Sequence, residues 1–246
     1  MNEFYKMSVN GNVYTINRKK TFQALGAFKS TTIERVFQFA YNMSFGGKGE
    51  HRDHRTGGNH QKKKGEIFAN TFQGKLAECA VYNNLYKAFP ISKPDFATYE
   101  LGKWDTADFF IGDQKISIKS TKAFGNLLLL ETKDWDSDAV YLPNHEAYEF
   151  TFLVRMNPYC EDILKKARML YSNEANRALL LENICSQRWE YDIPGFVTLE
   201  ELKYIIQNRF ILPQGAMLNG KTSMDAENYY VQSGDMHSIN EFREII

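Results

Sequence analysis

The feature of this 246-residue chain that most constrains its fold is a strand-rich segment near its middle. Residues 107–120 read ADFFIGDQKISIKS, two short β-rich runs separated by Gly112 and Asp113. A glycine-led two-residue turn between two such runs is typical of a tight β-hairpin. Further strands are predicted at 127–130 and 148–156, so we expect the middle of the chain to form a sheet.

Helices are predicted on both sides of these strands. Apolar side chains recur at three- and four-residue steps over about 31–45, where Thr31 and Glu34 have the spacing of a capping box. A second, long helix is predicted from about residue 66 to Phe89-Pro90, and shorter ones follow at 161–170, 174–185 and 198–208. The pattern predicts an α/β or α+β fold with a central mixed β-sheet flanked by helices.

Length and composition indicate a single domain over residues 1–246. The chain is 43% hydrophobic and 24% charged, and its 30 Lys+Arg residues balance 30 Asp+Glu residues. This composition is ordinary for a globular protein, and the zero net charge excludes a polycation that coats nucleic acid by overall charge. The turn-rich, polar-aromatic segment at about 210–246 is expected to be irregular.

Cysteine usage and hydropathy predict a protein of a reducing compartment. Cys79, Cys160 and Cys185 lie far apart, which argues against both a disulfide framework and a zinc knuckle. No basic start followed by an apolar run marks a signal peptide, and the most apolar runs are too short to span a bilayer. We therefore expect a cytoplasmic protein with no membrane partner.

One segment, at 46–65, departs from the neutral average. It holds six glycines, six Lys/Arg residues, two acids and no large apolar residue, which leaves 24 basic against 28 acidic residues elsewhere. Such a stretch cannot build a core and predicts an exposed, mobile loop. Its basic side chains are predicted to neutralise DNA phosphates, the alternative being a solvated linker. These side chains are Lys48, Arg52, Arg55, Lys62, Lys63 and Lys64.

The hairpin carries residue types that suit phosphodiester hydrolysis. Asp108 stands at the start of the first strand, and Ser117 and Lys119 share one face of the second because side chains alternate along a strand. A carboxylate can hold Mg²⁺, which prefers oxygen ligands, and a lysine can orient or help deprotonate the attacking water. The alternative is structural, with Asp108 bonding backbone amides at a strand edge and Lys119 exposed without a role.

This arrangement resembles the PD-(D/E)xK nuclease superfamily, and more narrowly its type II restriction endonucleases. Asp108 matches the family's first aspartate and Lys119 its lysine, over a resemblance that covers about residues 66–131. Ala107 stands where the family has proline, and Ser117 stands where it has an acid. The chain is therefore similar to the Ser-x-Lys restriction enzymes, which supply the missing carboxylate from elsewhere in the fold.

The resemblance implies both ligands and a reaction. Glu78, on the long helix, would be an accessory metal ligand, and Glu131, after the strand at 127–130, would replace the missing acid. It implies a restriction-endonuclease-like fold and Mg²⁺-dependent cleavage of double-stranded DNA at a short specific site, with Mn²⁺ able to substitute. It also implies a homodimer in a bacterial or archaeal cell. A low-specificity repair or phage nuclease, and a DNA-binding protein with a degenerate site, are the alternatives.

Overall fold

The computed structural model describes residues 2–47, 61–97 and 107–246. Within these ranges the helices are α1 (Ser30–Met43), α2 (Lys64–Leu85), α3 (Cys160–Lys166), α4 (Arg177–Cys185), α5 (Leu199–Gln207) and α6 (Phe242–Ile245). The strands are β1 (Ser8–Asn10), β2 (Val13–Thr15), β3 (Gly26–Ala27), β4 (Phe109–Ile111), β5 (Gln114–Lys122), β6 (Leu127–Glu131), β7 (Val140–Tyr141), β8 (Glu146–Ala147), β9 (Phe150–Asn157), β10 (Glu190–Thr198), β11 (Ile211–Leu212), β12 (Met217–Leu218), β13 (Thr222–Ser223) and β14 (Asn228–Gln232).

A mixed sheet of five strands forms the centre, in the order β3-β10-β9-β5-β4. Strand β5 runs parallel to β9, whereas β4 pairs with β5, and β10 with β9, in antiparallel orientation. A separate sheet of three strands has the order β11-β14-β6. The prediction of mixed sheet and helices in one chain is confirmed.

Alternation of side chains along β9 divides the core into two layers. Phe152 and Val154 belong to one apolar cluster, which includes Phe72 of α2, so that helix covers this face of the sheet. Leu153 belongs to a second cluster with Leu128 of β6. We call these the helical layer and the strand layer. The two layers decide which candidate residues share a face of the sheet.

Two helix boundaries differ from the sequence prediction, and a third agrees with it. The capping box predicted at Thr31 is wrong, because α1 begins at Ser30 and its N-cap is Lys29, without a side-chain cap. By contrast, Thr198 accepts a hydrogen bond from the Glu201 N–H, and the predicted start of α5 is confirmed. Helix α2 ends at Leu85, before the proline predicted to stop it.

The segment 210–246 contains more regular structure than its turn-rich sequence predicts. It supplies four short strands and α6, and β14 pairs with β6 along all five of its residues. His237 joins this segment to α5, since its Nε2 lies 2.8 Å from Glu201 Oε1 and its Nδ1 lies 2.8 Å from Glu241 Oε2. The hydrogen bond to His237 lowers the pKa of Glu241.

A buried ion pair fastens the N-terminal segment to the central sheet. Arg155 of β9 and Asp192 of β10 are 1% and 4% exposed, and Arg155 Nε lies 2.8 Å from Asp192 Oδ1. The guanidinium also donates to the carbonyl oxygens of Lys20 (2.7 Å) and Thr21 (3.1 Å). The N–H of Gln23 donates to Asp192 Oδ2. Arg155 thus has a structural role, and its guanidinium is turned away from solvent.

Two glycines of α2 should respond in opposite directions to alanine. A Cβ atom at Gly65 would lie 2.1 Å from the Met169 carbonyl oxygen, whereas a Cβ atom at Gly74 would meet nothing within 4 Å. We expect Gly65→Ala to lower the free energy of unfolding by about 1–3 kcal/mol because backbone must move. Gly74→Ala should raise it by about 0.5–1 kcal/mol, since alanine is the better helix former. Urea denaturation checks both, and changes of the same sign would contradict the packing described.

Candidate active site

The β4–β5 hairpin forms as predicted and provides the frame of the site. Phe109 pairs with Ile116 and Ile111 with Gln114, leaving Gly112 and Asp113 as a two-residue turn. Gly112 has a φ of +59°, a conformation that favours glycine. The hairpin lies at the edge of the central sheet, and β5 is held on its other side by seven residue pairs with β9.

The hairpin places Ser117 and Lys119 on one face of the sheet and Asp108 at the edge beside them. Ile116 points into the helical layer, so by alternation Ser117 and Lys119 face the strand layer, while Asp108 directly precedes β4 and its carboxylate bonds the Ile118 N–H of β5. Ser117 is buried at 2% exposure, Lys119 is partly buried and Asp108 is exposed. A carboxylate, a hydroxyl and an ammonium therefore lie together at one end of the hairpin.

The carboxylate of Asp108 is oriented by the neighbouring strand. Its Oδ2 accepts a hydrogen bond of 2.6 Å from the Ile118 N–H, and its own N–H donates to the Ile116 carbonyl oxygen at 3.0 Å. This is the contact that the structural alternative for Asp108 expects. Nearby, burial raises the pKa of Tyr148 to about 12, and the negative charge of Asp108 adds to the shift. Asp108 is thus a fixed negative charge beside a buried phenol.

Lys119 and Lys115 occupy the same face of β5 but differ in their partners. The Nζ atom of Lys115 is hydrogen-bonded to Glu146, whereas Lys119 Nζ lies 5.7 Å from the centre of the Tyr141 ring. Within the ranges 2–47, 61–97 and 107–246, no ion pair within 4 Å joins Lys119 to a carboxylate. Because the Lys119 ammonium contacts an aromatic ring and not a carboxylate, no ion pair neutralises it, and its positive charge can stabilise a phosphate.

A second hydroxyl adjoins Ser117. Thr151 of β9 is the neighbour of Ser117 across the parallel pairing, and it is 1% exposed. Its Oγ1 atom is buried and has no hydrogen-bond partner among the described residues. Burying an unpaired hydroxyl costs roughly 1–3 kcal/mol of folding free energy. The Thr151 hydroxyl is therefore an unsatisfied polar group next to Ser117.

The structure separates the two glutamates that were predicted to complete the site. Glu78 lies on α2, in the helical layer, and its Oε2 is 2.6 Å from Lys75 Nζ. Glu131 ends β6, which contributes to the strand layer, the side of the sheet that Lys119 faces. Its Oε2 is 2.8 Å from Lys133 Nζ and is buried without a well-formed hydrogen bond in the described part of the chain.

Asp108, Glu78 and Glu131 do not assemble a metal cage. No group of three or more His, Cys, Asp or Glu side chains that could hold a metal ion occurs among the residues described. Mg²⁺, however, is commonly held by one or two carboxylates together with water and substrate phosphates. The carboxylate of Glu131, which is ion-paired with Lys133, and the oriented carboxylate of Asp108 have the donor chemistry for that mode.

The predicted basic loop is shorter than its sequence indicated. Lys64 and Gly65 form the first turn of α2, so the loop ends at Lys63 and not at residue 65. The N–H groups of Lys64 and Gly65 donate to Asn173 Oδ1 and to the Ser172 carbonyl oxygen. Because these donors are already used, the start of α2 does not offer them to a phosphate.

The basic side chains of the loop fall into two groups. Lys63 is exposed, and Lys62 and Lys64 are partly exposed. The other three lie outside the described residues, as does the body of the predicted mobile loop: Lys48, Arg52 and Arg55.

An aromatic cluster beside the site was not anticipated from the sequence. The rings of Trp135 and Tyr141 are 5.1 Å apart, and those of Tyr141 and Tyr148 are 6.4 Å apart. Trp135 and Tyr148 are buried in the strand layer. These residues lie within one stretch of the chain, 135–148, where the bridge between Trp135 and Tyr141 and the β7–β8 hairpin bring their rings together.

Comparisons with protein-family models, with curated proteins and with solved structures find no match for this chain. In the part of the chain that the structure describes, no helix combines the length and apolarity needed to cross a bilayer.

Proposed function

We propose that the protein is a Mg²⁺-dependent endonuclease that hydrolyses phosphodiester bonds of double-stranded DNA, acting as a type II restriction enzyme of the Ser-x-Lys kind. The observation that carries the proposal is the placement of Ser117 and Lys119 on one face of β5, with the carboxylate of Asp108 bonded to the same strand and a lysine that is not neutralised by a described carboxylate. The mixed sheet flanked by helices agrees with the restriction-endonuclease-like fold that the resemblance implies.

The proposed roles follow from the chemistry of each side chain. Asp108 would hold the metal ion, with Glu131 preferred over Glu78 as the second ligand because β6 lies in the layer that Lys119 faces. Bound Mg²⁺, or Mn²⁺ in its place, would stabilise negative charge on the phosphate. Lys119, as an ammonium, would orient the attacking water and stabilise charge on the phosphate oxygens. Ser117 stands at the position where the resembled family has an acidic residue, and its hydroxyl carries no charge.

The proposal includes a DNA-binding surface and a partner. Lys62 and Lys63, with Lys48, Arg52 and Arg55, would contact phosphates, which makes affinity fall as salt rises. Restriction enzymes of this kind mostly cut palindromes as homodimers, so a two-fold partner is proposed as well. The implied location is the cytoplasm of a bacterial or archaeal cell.

A second candidate function is a DNA-binding protein whose nuclease site is degenerate. The observation that favours it is the separation of the carboxylates, since Glu78 is paired with Lys75 and Asp108 bonds a backbone amide. In this case Ser117 marks the loss of the catalytic acid.

Digestion of a mixed-sequence plasmid with Mg²⁺ over a range of salt separates these candidates. The restriction function predicts discrete fragments, while a low-specificity nuclease predicts a smear. Uncut plasmid that is nevertheless retarded in a gel would identify the DNA-binding alternative and contradict the endonuclease proposal.

A further inference from the structure

We propose that Tyr141 is a positioning residue that holds the ammonium group of Lys119, a role that rests on the proposed nuclease function. Lys119 Nζ lies 5.7 Å from the centre of the Tyr141 ring, within the distance at which an aromatic face attracts a cation. A flexible lysine needs such a constraint, because its four-carbon stem otherwise samples many rotamers. The ring supplies the constraint without cancelling the charge, as a carboxylate would.

Tyr141 is itself packed against two neighbouring aromatic rings. Its ring lies 5.1 Å from that of Trp135, and a backbone bridge joins the same two residues. The Tyr148 ring lies 6.4 Å from that of Tyr141 and 6.3 Å from that of Trp135, so the three rings form a triangle, and the Tyr148 hydroxyl accepts a hydrogen bond of 2.8 Å from Asn144 Nδ2. Trp135 and Tyr148 are both buried, so their packing restricts the movement of the Tyr141 ring.

The β7–β8 hairpin that carries Tyr141 is tied to β5 by an ion pair. Tyr141 pairs with Glu146 across the hairpin, and the Glu146 carboxylate binds Lys115. Lys115 and Lys119 flank Ser117 on one face of β5, so the hairpin spans the face on which the proposed chemistry occurs. The geometry thus orients Lys119 before substrate arrives.

Cleavage kinetics test the role directly. Tyr141→Leu is expected to lower kcat about tenfold with KM little changed, because it removes orientation but no substrate contact. Tyr141→Phe keeps the ring and should retain a clearly higher kcat than Tyr141→Leu. Tyr171→Leu, at an exposed tyrosine elsewhere, is the matched control. An unchanged kcat for Tyr141→Leu, or an equal loss for Tyr141→Phe, would overturn the proposal.

The contact between Lys119 and Tyr141 can also be tested by NMR, without any measurement of cleavage. After reductive ¹³C-methylation, which preserves lysine charge, the Lys119 methyl resonance should be shifted upfield by the Tyr141 ring and be assigned by its loss in Lys119→Arg. The shift should persist in Tyr141→Phe and vanish in Tyr141→Leu. A Lys119 resonance at the position of exposed lysines would overturn the contact whatever the activity. A preserved shift without any cleavage would instead contradict the nuclease function.

Discussion

Replacement of Lys119 by methionine is expected to reduce the rate of DNA cleavage by about a hundredfold to ten-thousandfold. Methionine keeps most of the length of the stem and removes the ammonium that would orient water and stabilise phosphate charge. The effect should fall on kcat, since one lysine supplies only a small part of the affinity for a polyanion. Initial rates of plasmid nicking at saturating Mg²⁺ measure it.

Lys115 offers the matched control for this substitution. It stands on the same strand and the same face as Lys119, and its charge is already compensated by Glu146. Lys115→Met should lower kcat by no more than the tenfold expected for Tyr141→Leu, because it loosens the β7–β8 hairpin but leaves the Lys119 ammonium in place, at a cost in stability of about 0–1 kcal/mol. Equal loss of activity in both variants would show that Lys119 has no special role.

Replacement of Arg155 by methionine is expected to lower the free energy of unfolding by about 3–5 kcal/mol. The substitution leaves the Asp192 carboxylate, only 4% exposed, without its bidentate partner. It also removes the donors to the Lys20 and Thr21 carbonyl oxygens, which fasten the N-terminal segment to the sheet. Urea denaturation at pH 7 measures the loss.

A double variant shows whether the loss of stability in Arg155→Met comes from the buried, unpaired charge of Asp192. Adding Asp192→Leu to Arg155→Met removes the buried carboxylate, so part of the lost stability should return. Arg188→Met, at an arginine whose side chain is 81% exposed, should stay within about 0.5 kcal/mol of the unaltered protein. A loss below about 1 kcal/mol for Arg155→Met would contradict the buried network.

The parts of the fold that the sequence predicts are those set by local chemistry. The Gly112-Asp113 turn fixes the register of β4 and β5, and with it the position of Asp108 beside the strand that carries Ser117 and Lys119. Strand β9 was likewise predicted from the long strand-like segment YEFTFLVRM at 148–156. In each case the signal lies within a few residues of the element it forms.

The parts that escaped prediction depend on distant residues. Strand β10 was missed because Pro194 and Gly195 interrupt it, and the structure accommodates them with a shift of register between Asp192 and Gly195. Strand β14 is a strand because β6, far away in sequence, pairs with it. The aromatic cluster of Trp135, Tyr141 and Tyr148 is local in sequence, but its contact with Lys119 depends on the packing of the β7–β8 hairpin on β5.

The measurement that tests the central claim most directly is Mg²⁺-dependent plasmid cleavage by the unaltered protein and by Asp108→Asn, with DNA retention recorded on the same samples. The account predicts discrete products from the unaltered protein, no cleavage in EDTA, and loss of cleavage but not of DNA binding in Asp108→Asn. Intact plasmid at every Mg²⁺ and Mn²⁺ concentration, with DNA still bound, would contradict it.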